Sequence, residues 1–148
     1  MVQNPPQKII QEQTPAPTLN SEILFVDDSA MNLQVAKNLI QDLNLTAHAR
    51  FFVNGQEIID HVRKTLQSSQ EPRPIGLMVL DMQMPIKNGL QVVQEVKAMY
   101  NGLKVRGQRA DLQEPLIVFN TAFSSKGLRN YLKQINVQHC LDKPLSME

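Results

Sequence analysis

Hydrophobic residues follow two patterns that alternate along the chain. Short and nearly continuous apolar runs predict strands buried on both faces, whereas apolar residues spaced three and four positions apart predict amphipathic helices. Because the two patterns alternate from residue 22 onwards, the sequence predicts an α/β fold built on a parallel sheet. The five predicted strands lie at 23–26, 46–53, 75–81, 116–120 and within 137–144.

Four predicted helices each carry one apolar face. They lie at 29–43, 56–67, 90–100 and 124–135. Ser29 is the candidate N-cap of the first, Asn54 and Gly55 open the second, and Gly127 is predicted to interrupt the fourth. His61 has polar neighbours, which favours a solvated helix surface over a ligand role. The residues predicted to face the core are Leu33, Ala36, Leu39, Ile40 and Leu43, then Ile58, Ile59, Val62 and Leu66, then Leu90, Val93, Val96 and Met99.

The ends of the chain differ in composition from its middle. Residues 1–20 are rich in Gln, Pro and Thr and are predicted to be a disordered arm or linker, and residues 21–148 to be one domain. A single cysteine, Cys140, excludes an internal disulfide and a cysteine-based zinc cluster. The amino terminus lacks a secretory signal pattern, and no apolar run approaches the roughly 20 residues that span a bilayer. These features predict a cytoplasmic chain without membrane contact.

Charge gives little support to a nucleic-acid partner. The 15 Lys and Arg residues nearly balance the 14 Asp and Glu residues. Four basic residues lie in or near the polar segment 101–114, but no aromatic residues interleave them. We interpret that segment as a solvated insertion and predict no nucleic-acid binding. The four residues are Lys97, Lys104, Arg106 and Arg109.

Polar side chains follow the predicted strands where they end. Taken alone, Asp81 could equally serve as a turn or cap residue. Parallel strands bring their carboxyl ends together, however, so three carboxylates, a hydroxyl and an ammonium should gather at one edge. Two carboxylates about 5 Å apart repel by roughly 3 kcal/mol, so the clustered acids need either a raised pKa or a cation. Hard oxygen ligands suit Mg²⁺ or Mn²⁺. This set implies phosphoryl transfer. Its members are Asp27, Asp28, Asp81, Thr121 and Lys143.

Four motifs occur in the order FVDD, DMQMPIKNG, TA and DKP. Together they resemble the receiver domain of response regulators, the phospho-acceptor module of two-component and phosphorelay signalling. VDDSAMN, with Asn32 after the acidic pair, is also similar to receivers attached to hybrid histidine kinases. The resemblance covers residues 22–144 and implies a doubly wound, flavodoxin-like sheet with strand order 2-1-3-4-5.

The resemblance also implies a role for each motif residue. Asp81 is expected to accept a phosphoryl group from a histidine kinase or histidine phosphotransfer protein. Lys143 is expected to bind a phosphoryl oxygen, and Thr121 to signal to the face of helix four and strand five. Such a domain assists its own phosphorylation and dephosphorylation without being a classical enzyme. The expected Mg²⁺ ligands are Asp27, Asp28, Asp81 and the backbone carbonyl of Gln83, and Met84, Pro85 and Gly89 are expected to shape the adjoining loop.

The sequence departs from the family pattern at three points. Cys140 occupies the place of the usual switch aromatic, and Asn136 replaces a turn glycine. The sequence also stops four residues after Pro144, so the fifth helix is missing and part of one sheet face is expected to form an exposed apolar patch. Dimerisation is therefore left open.

Two alternatives follow from these residues. The first is a pseudo-receiver that binds a partner without phosphorylation, an interpretation motivated by the missing aromatic and helix. The second is a phosphatase of the haloacid-dehalogenase type. That class needs a second Asp two residues after the nucleophile, and Gln83 occupies the position, so it is set aside.

Overall fold

Strands and helices alternate along the part of the chain that the computed structural model describes, residues 20–68, 73–108, 112–122, 125–137 and 139–146. The strands are β1 (Glu22–Val26), β2 (Ala49–Phe52), β3 (Ile75–Asp81), β4 (Leu116–Thr121) and β5 (His139–Asp142). The helices are α1 (Ala30–Asp42), α2 (Gly55–Gln67), α3 (Gly89–Val105) and α4 (Lys126–Gln134). The strands form one parallel sheet in the order β2-β1-β3-β4-β5, which confirms the predicted fold. The predicted arm, residues 1–20, lies outside the described part except for Asn20.

The sheet separates two apolar layers. On one face, α1 packs its buried residues Leu33, Ala36 and Ile40 against β1 and β3. On the other face, α2, α3 and α4 pack against the middle strands in a larger cluster that includes Met78 and Phe119. Helices on both faces explain why the central strands are apolar without polar alternation.

Each of the four helices in the described residues begins with a side-chain cap. Ser29, Asn54, Asn88 and Ser125 each accept a hydrogen bond from the backbone N–H three residues on, at 2.9–3.3 Å. Asn88 forms a full capping box, because Gln91 returns a hydrogen bond to the Asn88 backbone N–H. Caps of this kind satisfy donors that the first helical turn leaves unpaired and fix where each helix leaves the sheet edge.

The structure corrects two predicted element boundaries in the first half of the chain. Residues Thr46–His48 form a short 3₁₀ turn, so the second strand begins at Ala49 and is shorter than predicted. Leu43 caps the carboxyl end of α1 and is exposed, whereas it was expected to face the core.

His61 is not on a solvated surface. Its side chain is 19% exposed, and its Nε2 lies 3.3 Å from a carboxylate oxygen of Glu22. Its ring also packs against Phe52, with centroids 5.3 Å apart. The prediction of a solvated histidine was wrong because Glu22 comes from β1, far away in the sequence.

Two glycines also behave differently from the expectation. Gly127 lies in the first turn of α4 and does not interrupt it, and α3 continues through Gly102 to Val105. Of the predicted solvated insertion, residues 101–105 are therefore helical and residues 109–111 lie outside the described part. Lys97 and Lys104 lie 3.7 and 3.8 Å from Glu114, so part of the basic charge of this region is neutralised locally.

One face of the sheet is partly uncovered near β4 and β5, as expected. Leu116 is 52% exposed and Leu141 46% exposed. The strand register places both on the face that carries α1, because side chains alternate along a strand. No helix covers them among the described residues, which end at residue 146 after β5.

Candidate acidic site at the carboxyl edge of the sheet

The strand ends bring the predicted site residues to one edge. Asp27 and Asp28 follow β1, and Asp81 ends β3. The register pairs Asp81 with Asn120 and Thr121 with Asp142, so Thr121 and Lys143 lie at the same edge. The backbone N–H of Lys143 donates to the Thr121 carbonyl oxygen at 3.0 Å, which fixes the start of the Lys143 side chain.

Lys143 bridges two buried aspartates. Its Nζ lies 2.8 Å from Asp27 Oδ2 and 3.2 Å from Asp81 Oδ1. Asp27 is 5% exposed and Asp81 7% exposed, so both carboxylates have lost most of their water. Buried charges of this kind are tolerated when they are paired and hydrogen-bonded, and Lys143 supplies the pairing.

Local contacts orient the two acids after β1 in different ways. The backbone N–H of Ser29 donates to Asp27 Oδ1 at 2.9 Å, and the Asn32 amide lies 3.4 Å from the same oxygen. Both oxygens of Asp27 are therefore engaged by the protein. Asp28 is exposed. This use of the Ser29 backbone N–H was not predicted, although an Asp two residues before a helix cap is a common signal of such a turn.

The loop after Asp81 is held close to the strand end. The Gly89 N–H donates to the Met82 carbonyl oxygen at 2.9 Å, and a Cβ at Gly89 would lie 2.5 Å from the Asp81 carbonyl oxygen. Between them, Ile86 adopts a left-handed backbone with φ of 70° and is exposed. A β-branched residue in this region stores about 1–2 kcal/mol of strain, and such strain is concentrated at functional sites.

Burial shapes the acid–base properties of the cluster. Loss of water, followed by the charge of Asp27, raises the pKa of Asp81, and Lys143 and the backbone N–H of Gln83 offset only part of this. Burial also tends to lower the pKa of Lys143, but hydrogen bonds to Asp27 and Asp81 outweigh it and raise that pKa. Lys143 is therefore cationic at neutral pH, and ionising Asp81 costs more free energy in the folded protein than in the unfolded chain.

The free-energy cost of ionising Asp81 can be tested by varying the pH. In EDTA at about pH 7, Asp81→Asn protein is expected to have a higher Tm than the parent, because a raised folded-state pKa means that ionised Asp81 destabilises the fold. The penalty is absent below the unfolded pKa near 3.8, grows as the pH rises towards the folded pKa, and is complete above it. Thermal unfolding followed by circular dichroism should show the Tm difference shrinking as the pH falls. A difference independent of pH would contradict this explanation.

The three aspartates form a donor set that could hold a metal ion. One carboxylate oxygen from each of Asp27, Asp28 and Asp81 lies within 4.8 Å of the others. Hard carboxylate oxygens suit Mg²⁺, which uses one or two carboxylates and keeps several waters. The exposed Asp28 leaves one side of the cluster open to such waters. The residues therefore fit a hydrated divalent cation.

Two neighbouring residues complete the description. Thr121 is buried at the end of β4. Cys140 is partly buried and packs against the larger core cluster. Burial is the main cause of the raised pKa of its thiol, so a neutral, apolar role fits this residue.

A doubly wound α/β domain with an acidic pocket at the carboxyl edge is the class that these observations define. The family model of the response regulator receiver domain matches residues 23–148, and the chain belongs to this family. It is thus a receiver domain of two-component signalling. The family binds Mg²⁺ at an acidic pocket, and its members are signalling domains rather than classical enzymes.

Known proteins agree with this assignment. Chemotaxis protein CheV2 of Helicobacter pylori is 30% identical over 76 residues, which is 51% of this chain but only 22% of that protein. A response regulator receiver protein from Dyadobacter fermentans is 22% identical, with a TM-score of 0.64. The superposition includes 86% of this chain and 89% of that protein's chain.

A further solved structure contains a receiver domain with a partner. It is the receiver domain of the response regulator Ssk1 with the histidine phosphotransfer protein Ypd1, from Saccharomyces cerevisiae. The identity is 19% with a TM-score of 0.62, and 86% of this chain covers 81% of that one. At these identities the solved structures show the shared fold.

None of the helices in the described residues has the length and apolar character of a membrane span.

Proposed function

We propose that the chain accepts a phosphoryl group on Asp81 in a His-Asp phosphorelay. The observation that carries the proposal is the bridge from Lys143 to Asp27 and Asp81, at 2.8 and 3.2 Å, beside the exposed Asp28. It combines a buried carboxylate, a fixed cation and an open acidic pocket. These are the parts that phosphoryl transfer needs, because positioning and charge neutralisation provide most of its acceleration.

The transfer balances without a further reactant. A carboxylate oxygen of Asp81 forms a bond to phosphorus while the bond from phosphorus to the imidazole nitrogen of the donor breaks, and the electron pair of that bond stays on the nitrogen. Lys143 is already within reach of Asp81 and neutralises a phosphoryl oxygen as it arrives. Later attack by water on the aspartyl phosphate would return Asp81 and release phosphate, so the domain limits the lifetime of its own signal.

Asp28 and Asp81 would hold Mg²⁺ directly, and Asp27 through a water molecule. Both oxygens of Asp27 already accept hydrogen bonds from the protein, which supports the indirect role. The backbone carbonyl of Gln83 is a further candidate ligand. Bound there, Mg²⁺ supplies positive charge for the oxygens of the transferred group.

The readout would run through Thr121 and the face of α4 and β5. The Thr121 carbonyl oxygen accepts a hydrogen bond from the Lys143 backbone N–H. A movement of Lys143 towards a phosphoryl group would therefore also displace the end of β4. Cys140 on β5 has no ring to move with Thr121. We therefore expect a change that is confined to the backbone and to α4, a local charge event coupled to a second conformation.

The donor would be a histidine kinase or a histidine phosphotransfer protein. The similarity to the receiver in the Ypd1–Ssk1 structure supports a donor of this kind, since that receiver is captured with such a partner. Our proposal includes an intracellular setting, where these donors act.

Intact-protein mass spectrometry tests the proposal. After incubation with acetyl phosphate and Mg²⁺, we expect one added phosphoryl group in the parent protein and none in Asp81→Asn, because the attacking carboxylate is gone. Omitting Mg²⁺ should also prevent the gain in mass. Asp60→Asn, an exposed aspartate on α2, is the matched control and should behave like the parent. An unmodified but folded parent would overturn the proposal and favour a phosphorylation-independent interaction module.

A further inference from the structure

A second polar groove lies at the opposite edge of the sheet. It has a volume of about 640 Å³ and is bounded by the start of β1, by β2 and by α2. Glu22 and Asp27 are five residues apart along β1, so the groove lies roughly 17 Å from the acidic site at a strand rise of about 3.3 Å per residue. It is therefore separate from the acceptor site. Its titratable lining residues are Glu22, Arg50, His61, Lys64 and Arg73.

The floor of the groove is a fixed polar network. Glu22 is 8% exposed, and its two carboxylate oxygens contact Arg50 and His61. Arg50 Nε–H donates a charge-assisted hydrogen bond to Glu22 Oε2, and no described acid pairs with the outer guanidinium nitrogens of Arg50. Packing on Phe52 holds the His61 ring in place. Glu22 thus neutralises Arg50 and fixes the orientation of the Arg50 and His61 side chains.

The walls of the groove carry positive charge that no described acid balances. Arg73 donates a hydrogen bond to the Ala47 carbonyl oxygen at 3.1 Å, and its Nη1 lies 3.5 Å from His48 Nδ1. Neither of these groups carries a negative charge, so neither neutralises Arg73. Lys64 is exposed near the carboxyl end of α2 and has no acid partner within the described ranges. Among the described lining residues, three cations (Arg50, Lys64 and Arg73) face one carboxylate (Glu22), a formal excess of two positive charges.

We infer that this groove binds a small phosphate-bearing molecule. Arginine presents donors in a fork that matches phosphate oxygens, and two excess positive charges match a doubly charged anion. The volume is within the range of about 300–1,000 Å³ typical of small-molecule sites. The chain as a whole carries a formal net charge of only +1, so the excess at the groove is local. The phosphate group could belong to a nucleotide or to a free inorganic phosphate.

NMR titration of the full chain in EDTA and about 150 mM salt tests this inference, since screening at that ionic strength suppresses weak surface attraction. Pyrophosphate is the first probe and adenosine diphosphate the second. We expect saturable shifts at the amides of residues 47–50 and 61–65, and no comparable shifts at residues 81–89. Tighter binding of the nucleotide would assign part of the groove to its base and sugar, and equal binding would assign the site to phosphate alone. Either order supports the inference.

Charge variants make the test specific. Lys64→Gln and Arg73→Gln should each weaken pyrophosphate binding about tenfold, in line with the loss of one charged hydrogen bond. Arg63→Gln is the matched control, because it removes the same charge from the neighbouring position of α2, where Arg63 pairs with Asp60 outside this groove. Absence of saturation, equal weakening in all three variants, or binding of long polyanions alone would overturn the inference. Asp81→Asn should bind pyrophosphate like the parent, so this result does not depend on the proposed phosphorylation.

Discussion

Lys143→Gln protein in EDTA is expected to lose about 3 kcal/mol of unfolding free energy, and added Mg²⁺ to restore most of it. The substitution removes the cation that lies 2.8 Å from Asp27 and 3.2 Å from Asp81 and leaves two buried carboxylates facing each other. A divalent cation would replace the missing charge, so the variant should also bind Mg²⁺ more tightly than the parent. Urea unfolding with and without Mg²⁺ measures both effects.

The same variant should accept phosphoryl groups more slowly by roughly 100-fold, because one donor to the developing negative charge is gone. Lys97→Gln provides the control. Its ion pair with Glu114 is 3.7 Å long and partly exposed, and a pair of this kind contributes about 0–1 kcal/mol. Equal losses of stability in the two variants, or no recovery with Mg²⁺, would show that Lys143 does not hold the acidic cluster together.

Gly89→Ala is expected to destabilise the fold by about 3 kcal/mol, the upper part of the range for overpacking a core. A Cβ at this position would lie 2.5 Å from both the Asp81 carbonyl oxygen and the Phe119 ring. One neighbour is backbone and the other is a fully buried ring, so neither can move away cheaply. Relief of the clash should displace Asp81, and the rate of phosphoryl incorporation should fall with stability.

Gly127→Ala is the control for this prediction. Gly127 lies in the first turn of α4, and the nearest atom to an added Cβ is 3.9 Å away. Alanine is a better helix former, so this variant should gain about 0.5–1 kcal/mol. Chemical denaturation of both variants gives the comparison. If Gly89→Ala were as stable as the parent, α3 could not lie as close to the end of β3 as the structure shows.

Sequence patterns predicted the sheet and the gathering of acids at its edge because both depend on short stretches of chain. An apolar run that ends in Asp81 indicates where a buried strand ends, and parallel pairing brings the ends of β1, β3, β4 and β5 together. The distances from Lys143 to the two aspartates could not be predicted. They depend on the hydrogen bond from the Lys143 backbone to Thr121, which forms only when β4 and β5 are in register.

The errors have physical causes that act over longer distances or at helix ends. Gly127 did not interrupt α4, because backbone N–H groups in a first turn have no helical partners to lose. The helix α3 extends past Tyr100 because that side chain is buried in the larger core cluster and anchors the next turn. His61 contacts Glu22 across 39 positions of sequence, and no local pattern contains that information.

The helix caps have a consequence for the chemical ageing of the protein. Asn54 and Asn88 are both followed by glycine, the neighbour that most favours deamidation through a cyclic imide. Ring closure requires the nitrogen of the next residue to attack the side-chain carbonyl, but in both caps that side chain is held by a hydrogen bond of 2.9 Å from the helix. Deamidation at these positions therefore proceeds through local opening of a helix start, and its rate on storage records how often α2 and α3 fray at the sheet edge.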